Sequence, residues 1–143
     1  MNLQNKCYTT GKFFRGESDT TYWIAYDKKT PFAFLITSPI RAFSIFIKDQ
    51  KGTIFGGASG TLFYGSLYVD SLWIDKTLRH QGWGTKLLSE AESMGRKYGA
   101  SFVTLNTMDW EALPFYQKLG YSIEFIRKGY EKESKMFMLR KNL

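Results

Sequence analysis

The chain has 143 residues, 43% of them apolar and 17% aromatic, enough for one domain whose single core buries roughly two thirds of the unfolded surface. One cysteine, Cys7, and one histidine, His80, exclude an internal disulfide and leave no zinc ligand set, and no run of about 18 apolar residues is present to cross a membrane. Twenty Lys and Arg against 13 Asp and Glu give a net charge of +7, which favours an anionic partner such as a polyanionic cofactor or nucleic acid, or is simply a solvated basic surface.

Met1 to Lys12 contain no apolar stretch that could serve as a signal-peptide core, which predicts a soluble cytoplasmic protein in a reducing compartment. Phe13 and Phe14, Tyr22 to Tyr26 and Phe32 to Ile36 are apolar clusters separated by turn formers, and they read as short helices or a strand. From Ala42 the pattern sharpens. Phe43, Ile45 and Ile47 alternate with their neighbours up to Asp49-Gln50-Lys51-Gly52, a strand followed by a hairpin turn. A second strand runs from Thr53 towards Tyr64, and its glycines 56, 57 and 60 predict a bulge or a close backbone approach. The third, Leu67 to Ile74, is apolar except at Asp70 and Ser71, which predicts cover on both faces.

The period then changes. Trp83, Leu87, Leu88, Ala91, Met94 and Tyr98 recur at helical spacing, with Glu90, Glu92, Arg96 and Lys97 elsewhere on the wheel, so a helix runs from about Gly84 to Tyr98 and stops at Gly99. Ser101 to Asn106 reads as a buried strand, Asp109 to Leu119 as a short helix closed by Gly120, and Tyr121 to Ile126 and Met136 to Arg140 as two further strands. Strand, helix, strand implies a right-handed crossover between parallel neighbours, and the hairpins on either side make the sheet mixed. The fold class is therefore α/β, one layered structure around a central sheet over residues 1 to 143, with the best site where a strand end meets a helix start.

That junction runs from Asp75 to Thr85. Gly82 and Gly84 at a helix start let a ligand approach the backbone, where unpaired amides and the positive end of the helix dipole would hold a phosphate and Arg79 would add a full charge. The same glycines would equally shape a tight strand-to-helix turn with no ligand. A dinucleotide fingerprint would need glycine where Leu87 stands, and the P-loop order fails because Thr85 precedes Lys86.

Arg79-x-x-Gly82-x-Gly84, preceded by Leu72-Trp73-Ile74 and followed by a helix, resembles the cofactor-binding motif of the GNAT superfamily of acyl-CoA-dependent N-acetyltransferases. Ala112-x-x-Phe115-Tyr116-x-Lys118-Leu119-Gly120-Tyr121 resembles the same superfamily's Phe-Tyr-x-Lys-x-Gly-Phe segment, in the expected order and context. The resemblance covers about residues 42 to 141. It implies a central, mostly antiparallel sheet with one parallel pair splayed around the cofactor and helices on both faces. It also implies acetyl-CoA as cosubstrate, no metal, and direct transfer of the acetyl group to a small-molecule or protein amine, with a homodimer allowed.

Carried over by residue, the backbone of Leu72, Trp73 and Ile74 would pair with the pantetheine arm. The amides of Gln81, Gly82, Trp83, Gly84 and Thr85 would hold the pyrophosphate, with Arg79 and His80 in the same loop and Asp109 and Phe115 also beside the cofactor. Asp109 stands where the family usually has asparagine; it caps a helix as well but cannot donate a hydrogen bond when ionised. Pro114 requires that the second helix begin at or just before Ala112. The forty residues at the front are too few for the two helices that the family usually places there.

An alkyl amine with a pKa near 10.4 lies about 3.4 pH units above neutrality, which costs roughly 4.6 kcal/mol before it can attack a thioester, so a base is useful. The departing thiolate needs a proton, and Tyr116 matches the family's tyrosine in that role; otherwise it is a core aromatic beside Phe115 and Leu119. For the base, Asp70 is the one carboxylate in an apolar strand, where burial would raise its pKa, or else it is a structural acid paired to a basic group. Glu111 reads as a solvated first-turn acid. Two other classes stay open: an acyl-CoA-binding protein without turnover and a basic nucleic-acid-binding module, although the aromatics fall mainly on core positions and no RNA-binding signature is present.

Overall fold

A computed structural model describes residues 40–143 in full, together with the backbone of two strands, β1 (Gly11–Arg15) and β2 (Thr21–Tyr26). Two of the three apolar clusters near the front are thus strands; the third, Phe32 to Ile36, lies outside the described residues. The chain continues through β3 (Arg41–Lys48), β4 (Ile54–Phe63), β5 (Ser66–Ile74), α1 (Trp83–Lys97), β6 (Phe102–Met108), α2 (Leu113–Lys118), β7 (Ser122–Arg127) and β8 (Met136–Asn142). The described strands form one sheet in the order β1-β2-β3-β4-β5-β6-β8-β7, antiparallel except for β5 and β6.

Local chemistry accounts for the connections. Asp49 closes the β3–β4 hairpin by accepting from the amides of Lys51 and Thr53 at 3.0 and 2.8 Å. Pro114 sits in the first turn of α2, where its missing amide costs nothing. That helix is shorter than its sequence pattern indicates, because Ala112 is its N-cap and Asp109 does not cap it.

The core lies on one face of the sheet. Phe43, Ile45 and Ile47 of β3, Leu67 and Val69 of β5, and Val103 and Leu105 of β6 pack beneath Leu87, Leu88 and Ala91 of α1. α2 shares that face, since the Phe115 ring lies 3.2 Å from where a Cβ on Gly84 of α1 would stand. Among the described residues no helix packs on the other face, where the resemblance implies one.

The bulge read from the glycines of β4 is present. Gly60 pairs with Val69 and Ser59 with Ser71, which leaves Asp70 as the extra residue. The phase of β5 therefore slips: Leu67 and Val69 face the core, then Leu72 and Ile74 pack against it. Asp70 and Ser71 are exposed, and Trp73 is 47% exposed. The expectation that β5 is covered on both faces is thus corrected. Its unbroken apolar run arises because the bulge moves the inward positions by one, not because both faces are buried.

Gly60 is required here by space. A Cβ at this position would collide with the Tyr68 carbonyl oxygen and lie 2.8 Å from the Phe43 ring. Gly60→Ala should therefore lower the unfolding free energy by about 3 kcal/mol, measured by denaturant titration, as overpacking against backbone does; a change near zero would show that the bulge relaxes freely.

Candidate active site

The parallel pairing of β5 with β6 begins at Ser66↔Phe102 and ends at Val69↔Leu105. Beyond it β5 stays with β4 as far as Ile74, and β6 stays with β8 as far as Met108. The two central strands fork, and on the side facing β6 the backbone of Leu72, Trp73 and Ile74 has no strand partner among the described residues. A cleft of about 900 Å³ fills the fork and runs on to the start of α1.

α1 begins without a side-chain cap. Its N-cap is Gly82, held at φ +81°, a region where a side chain would be strained. The first amide bonded within the helix is that of Lys86, which donates to the Gly82 carbonyl at 3.1 Å, so among the described residues the amides of Gly84 and Thr85 are left open. A 3-10 turn (Lys76–Leu78) leads into this loop, with Asp75 accepting from the Thr77 amide and hydroxyl at 2.9 and 2.6 Å. The Thr77 hydroxyl and then its amide hold the Asp75 carboxyl below its usual pKa.

Arg79, His80, Gly82, Gly84 and Thr85 line the cleft, as do Leu72, Trp73, Ile74, Asp70, Phe115 and Tyr116. Arg79 is exposed and its Nε donates to the Ile74 carbonyl at 3.1 Å, which fixes the guanidinium beside the open strand edge. Trp83 also borders the cleft, but its side chain is 2% exposed and belongs to the core. Two residues read from the sequence as cofactor contacts do not line it. Gln81 turns its amide to the Thr77 carbonyl at 3.0 Å. Asp109 exchanges hydrogen bonds with Lys135, its amide donating to the Lys135 carbonyl at 3.0 Å and its carboxylate accepting from the Lys135 amide at 3.2 Å.

Tyr116 is 8% exposed, and its ring is edge-on to Phe115 at 5.1 Å and to Tyr121 at 5.9 Å. Burial, and after it the negative charge of Glu111, pushes its pKa above the usual tyrosine range, so the hydroxyl keeps its proton at neutral pH. Asp70 also borders the cleft but is exposed, so the burial on which its role as base was argued is absent.

Several site residues escaped the sequence reading. Glu111 is exposed, as expected of a solvated acid, but it also lines the cleft and accepts from the Met108 amide at 2.8 Å and the Thr107 hydroxyl at 3.2 Å, so it ties the end of β6 to the start of α2. Glu92, placed on the polar side of α1, is 5% exposed. It accepts from the Tyr121 hydroxyl at 2.9 Å and from Lys141 Nζ at 2.8 and 3.0 Å, with Arg96 at 3.8 Å. A helical wheel sees neither Tyr121 nor Lys141, the tertiary partners that make this burial tolerable.

The profile of the acetyltransferase (GNAT) family matches residues 2–121. The chain belongs to the GNAT acetyltransferase family. It is 31% identical over 86 residues to blasticidin-S acetyltransferase of Streptomyces morookaense, a match covering 59% of this chain and 63% of that one. To an acetyltransferase of Agrobacterium fabrum it is 34% identical over 82 residues, covering 57% and 60%. The chain thus spans about three fifths of the length of these relatives. A crystal structure of an acetyltransferase from Bacillus cereus superposes with a TM-score of 0.71 at 31% identity, covering 76% of this chain and 77% of the other. The same fold is found, at 17% identity and a TM-score of 0.64 over 71% of this chain and 62% of the other, in a protein from Bacillus anthracis described as a streptothricin acetyltransferase and solved with acetyl coenzyme A.

Tyr121 shares the pattern of Tyr116. Burial first, and then the charge and hydrogen bond of Glu92, drive its pKa far above the usual range. Groups whose folded pKa is raised contribute stability that is complete below about pH 10 and is lost as pH rises past it. Thermal unfolding between pH 8.5 and 11 should show a steeper alkaline loss for the native chain than for Tyr121→Phe. Parallel curves would show that Tyr121 ionises in the folded state at no extra cost.

Proposed function

We propose that this protein transfers the acetyl group of acetyl-CoA to the amine of a small molecule, within the fork between β5 and β6. The observation that carries this reading is the meeting of an unpaired strand edge, Leu72 to Ile74, with an uncapped helix start at Gly82. An amide-containing arm fits the first as an added strand would, and a pyrophosphate fits the second. The cleft volume of about 900 Å³ lies within the range of cofactor sites.

When bound, acetyl-CoA supplies a thioester carbonyl and a thiolate leaving group. The chain's part is to hold and move protons around it. Arg79, His80 and the amides of Gly82 to Thr85 set the position of the phosphates, and Phe115 closes the helix side of the cleft. Tyr116 keeps its phenolic proton, since burial and the charge of Glu111 raise its pKa, and it lines the cleft, which supports a role in giving that proton to the departing sulfur. Asp70, exposed at the bulge, draws a cationic amine to the fork of a protein of net charge +7. Blasticidin S, named in one relative, is the first acceptor to assay.

Two substitutions separate binding from chemistry. Thr85 is exposed in the first turn of α1, and that turn holds no acidic residue. Thr85→Glu adds a charge that the helix dipole welcomes and a pyrophosphate does not, so the melting temperature should hold or rise while the acetyl-CoA Kd rises roughly tenfold or more. Unchanged affinity by calorimetry would move the phosphates elsewhere.

Tyr116→Phe keeps the ring and its packing but removes the proton. Its kcat should fall by roughly a hundredfold with the acetyl-CoA Kd unchanged. An unaltered rate, with chemistry limiting, would make Tyr116 a core residue.

A further inference from the structure

The register places an uncommon row of side chains on the face of the sheet away from α1. Ser44 of β3 stands opposite Ser59 of β4, and Ser59 stands opposite Ser71 of β5. Phe43 and Ile45 flank Ser44 in β3 and point into the core, so the three serines share the opposite face. The row spans roughly 10 Å across three strands. It ends at the fork, where Asp70 is extruded beside Ser71.

One row further along, Phe46 faces Gly57, and Gly57 faces Trp73. The Phe46 ring lies 3.0 Å from where a Cβ on Gly57 would stand, so the two aromatics wall one side of the serine row across a glycine floor. On the other side Tyr68 accepts a hydrogen bond at 3.2 Å from Nδ2 of Asn106, which brackets the fork. Asp70, Ser71, Trp73 and Asn106 line the same cleft as Tyr116 and Gly84, which lie on the helix side. The cleft thus passes between the strands and opens on both faces.

Ser44 and Ser59 are half-buried and Ser71 and Asp70 are exposed. Among the described residues no buried side-chain oxygen lacks a partner and none of these four side chains makes a hydrogen bond, so they are open to solvent and to a ligand. Three hydroxyls in register, ending at one carboxylate beside a through-going cleft, form a surface with spare donors and acceptors and a single negative charge.

We propose that this row is the acceptor subsite and that it selects a compact cationic amine rich in hydroxyl or amide groups, of amino-sugar size, over an apolar amine or a peptide. The inference rests on the acetyltransfer reading above. Asp70 holds the ammonium at the fork, the serines bond the polar groups of the ligand, and Trp73 and Phe46 pack its ring. An apolar amine would strip water from the serines and return nothing, which costs affinity at every unpaired hydroxyl.

The probes are D-glucosamine and cyclohexylamine, two amines on six-membered rings, and a lysine-containing tripeptide, each assayed by coenzyme A release with rates expressed per free amine. Glucosamine should exceed both others in kcat/KM by roughly tenfold or more, since several hydrogen bonds separate them. Ser59→Val, a substitution suited to a strand, should raise the KM for glucosamine roughly three- to tenfold, lower the KM for cyclohexylamine, and leave the KM for acetyl-CoA unchanged. If that variant unfolds early, Ser44→Val and Ser59→Ala make the same test, and melting curves identify a folded one.

A preference for cyclohexylamine or the peptide, or an acceptor KM that ignores the serines, overturns the subsite while leaving acetyltransfer intact. Acetyl-CoA that binds but is turned over with none of the three overturns the proposed acceptor class. Acetyl-CoA that does not bind overturns the acetyltransfer reading itself.

Discussion

Every functional feature of this molecule depends on where the hydrogen bonds between β5 and β6 stop. A parallel pair that continued past Val69 and Leu105 would close the sheet and leave no cleft. The pairing stops because β5 carries one residue too many against β4. An extra residue bends the bulged strand and increases its twist, and here the bend carries Ser71 to Ile74 away from β6 while their bonds to β4 persist. Gly60 makes this geometry available by leaving room for the Tyr68 carbonyl. The same slip explains how a strand with a half-exposed outer face can read as continuously apolar.

The helix side of the fork is fixed by burial, and the phosphate-facing loop inherits its position from that burial. Trp83, Leu87, Leu88 and Ala91 are nearly inaccessible, so the start of α1 cannot drift relative to the strands. The far side of α1 is held by Glu92, whose burial would be costly alone but is met by Lys141 of β8 and by Tyr121 behind α2. Tyr121 also packs on Tyr116. One buried carboxylate thereby links the first helix, the last strand and the tyrosine assigned to proton transfer, three segments far apart in sequence.

The electrostatics divide by position. The loop from Arg79 to Thr85 presents a guanidinium and open amides, suited to a polyanion. Asp70 and Glu111 place negative charge deeper along the same cleft, suited to an ammonium group. A basic protein can then hold a phosphate-rich cosubstrate at one end and receive a cationic acceptor at the other, because each charge acts mainly within about 10 Å. Family membership agrees with the first half of this arrangement.

By itself the sequence determined the described strands from β3 onward, the two helices, the parallel pairing across α1 and the loop from Arg79 to Thr85, because these rest on local periodicity and on glycines at a strand-to-helix junction. It also showed that Pro114 is at odds with a helix beginning at Asp109, and the structure resolves this by starting the helix at Leu113. Only the tertiary structure decided that Asp70 is extruded rather than buried, that Asp109 and Gln81 turn away from the cleft, that Glu92 lies inside, and that Ser44, Ser59 and Ser71 stand in one row. The physical reason is the same in each case. Periodicity reports which face of its own element a side chain occupies, whereas strand register, bulges and partners from distant segments decide what that face meets, and a one-residue slip between β4 and β5 is enough to exchange the inside of a strand for its outside.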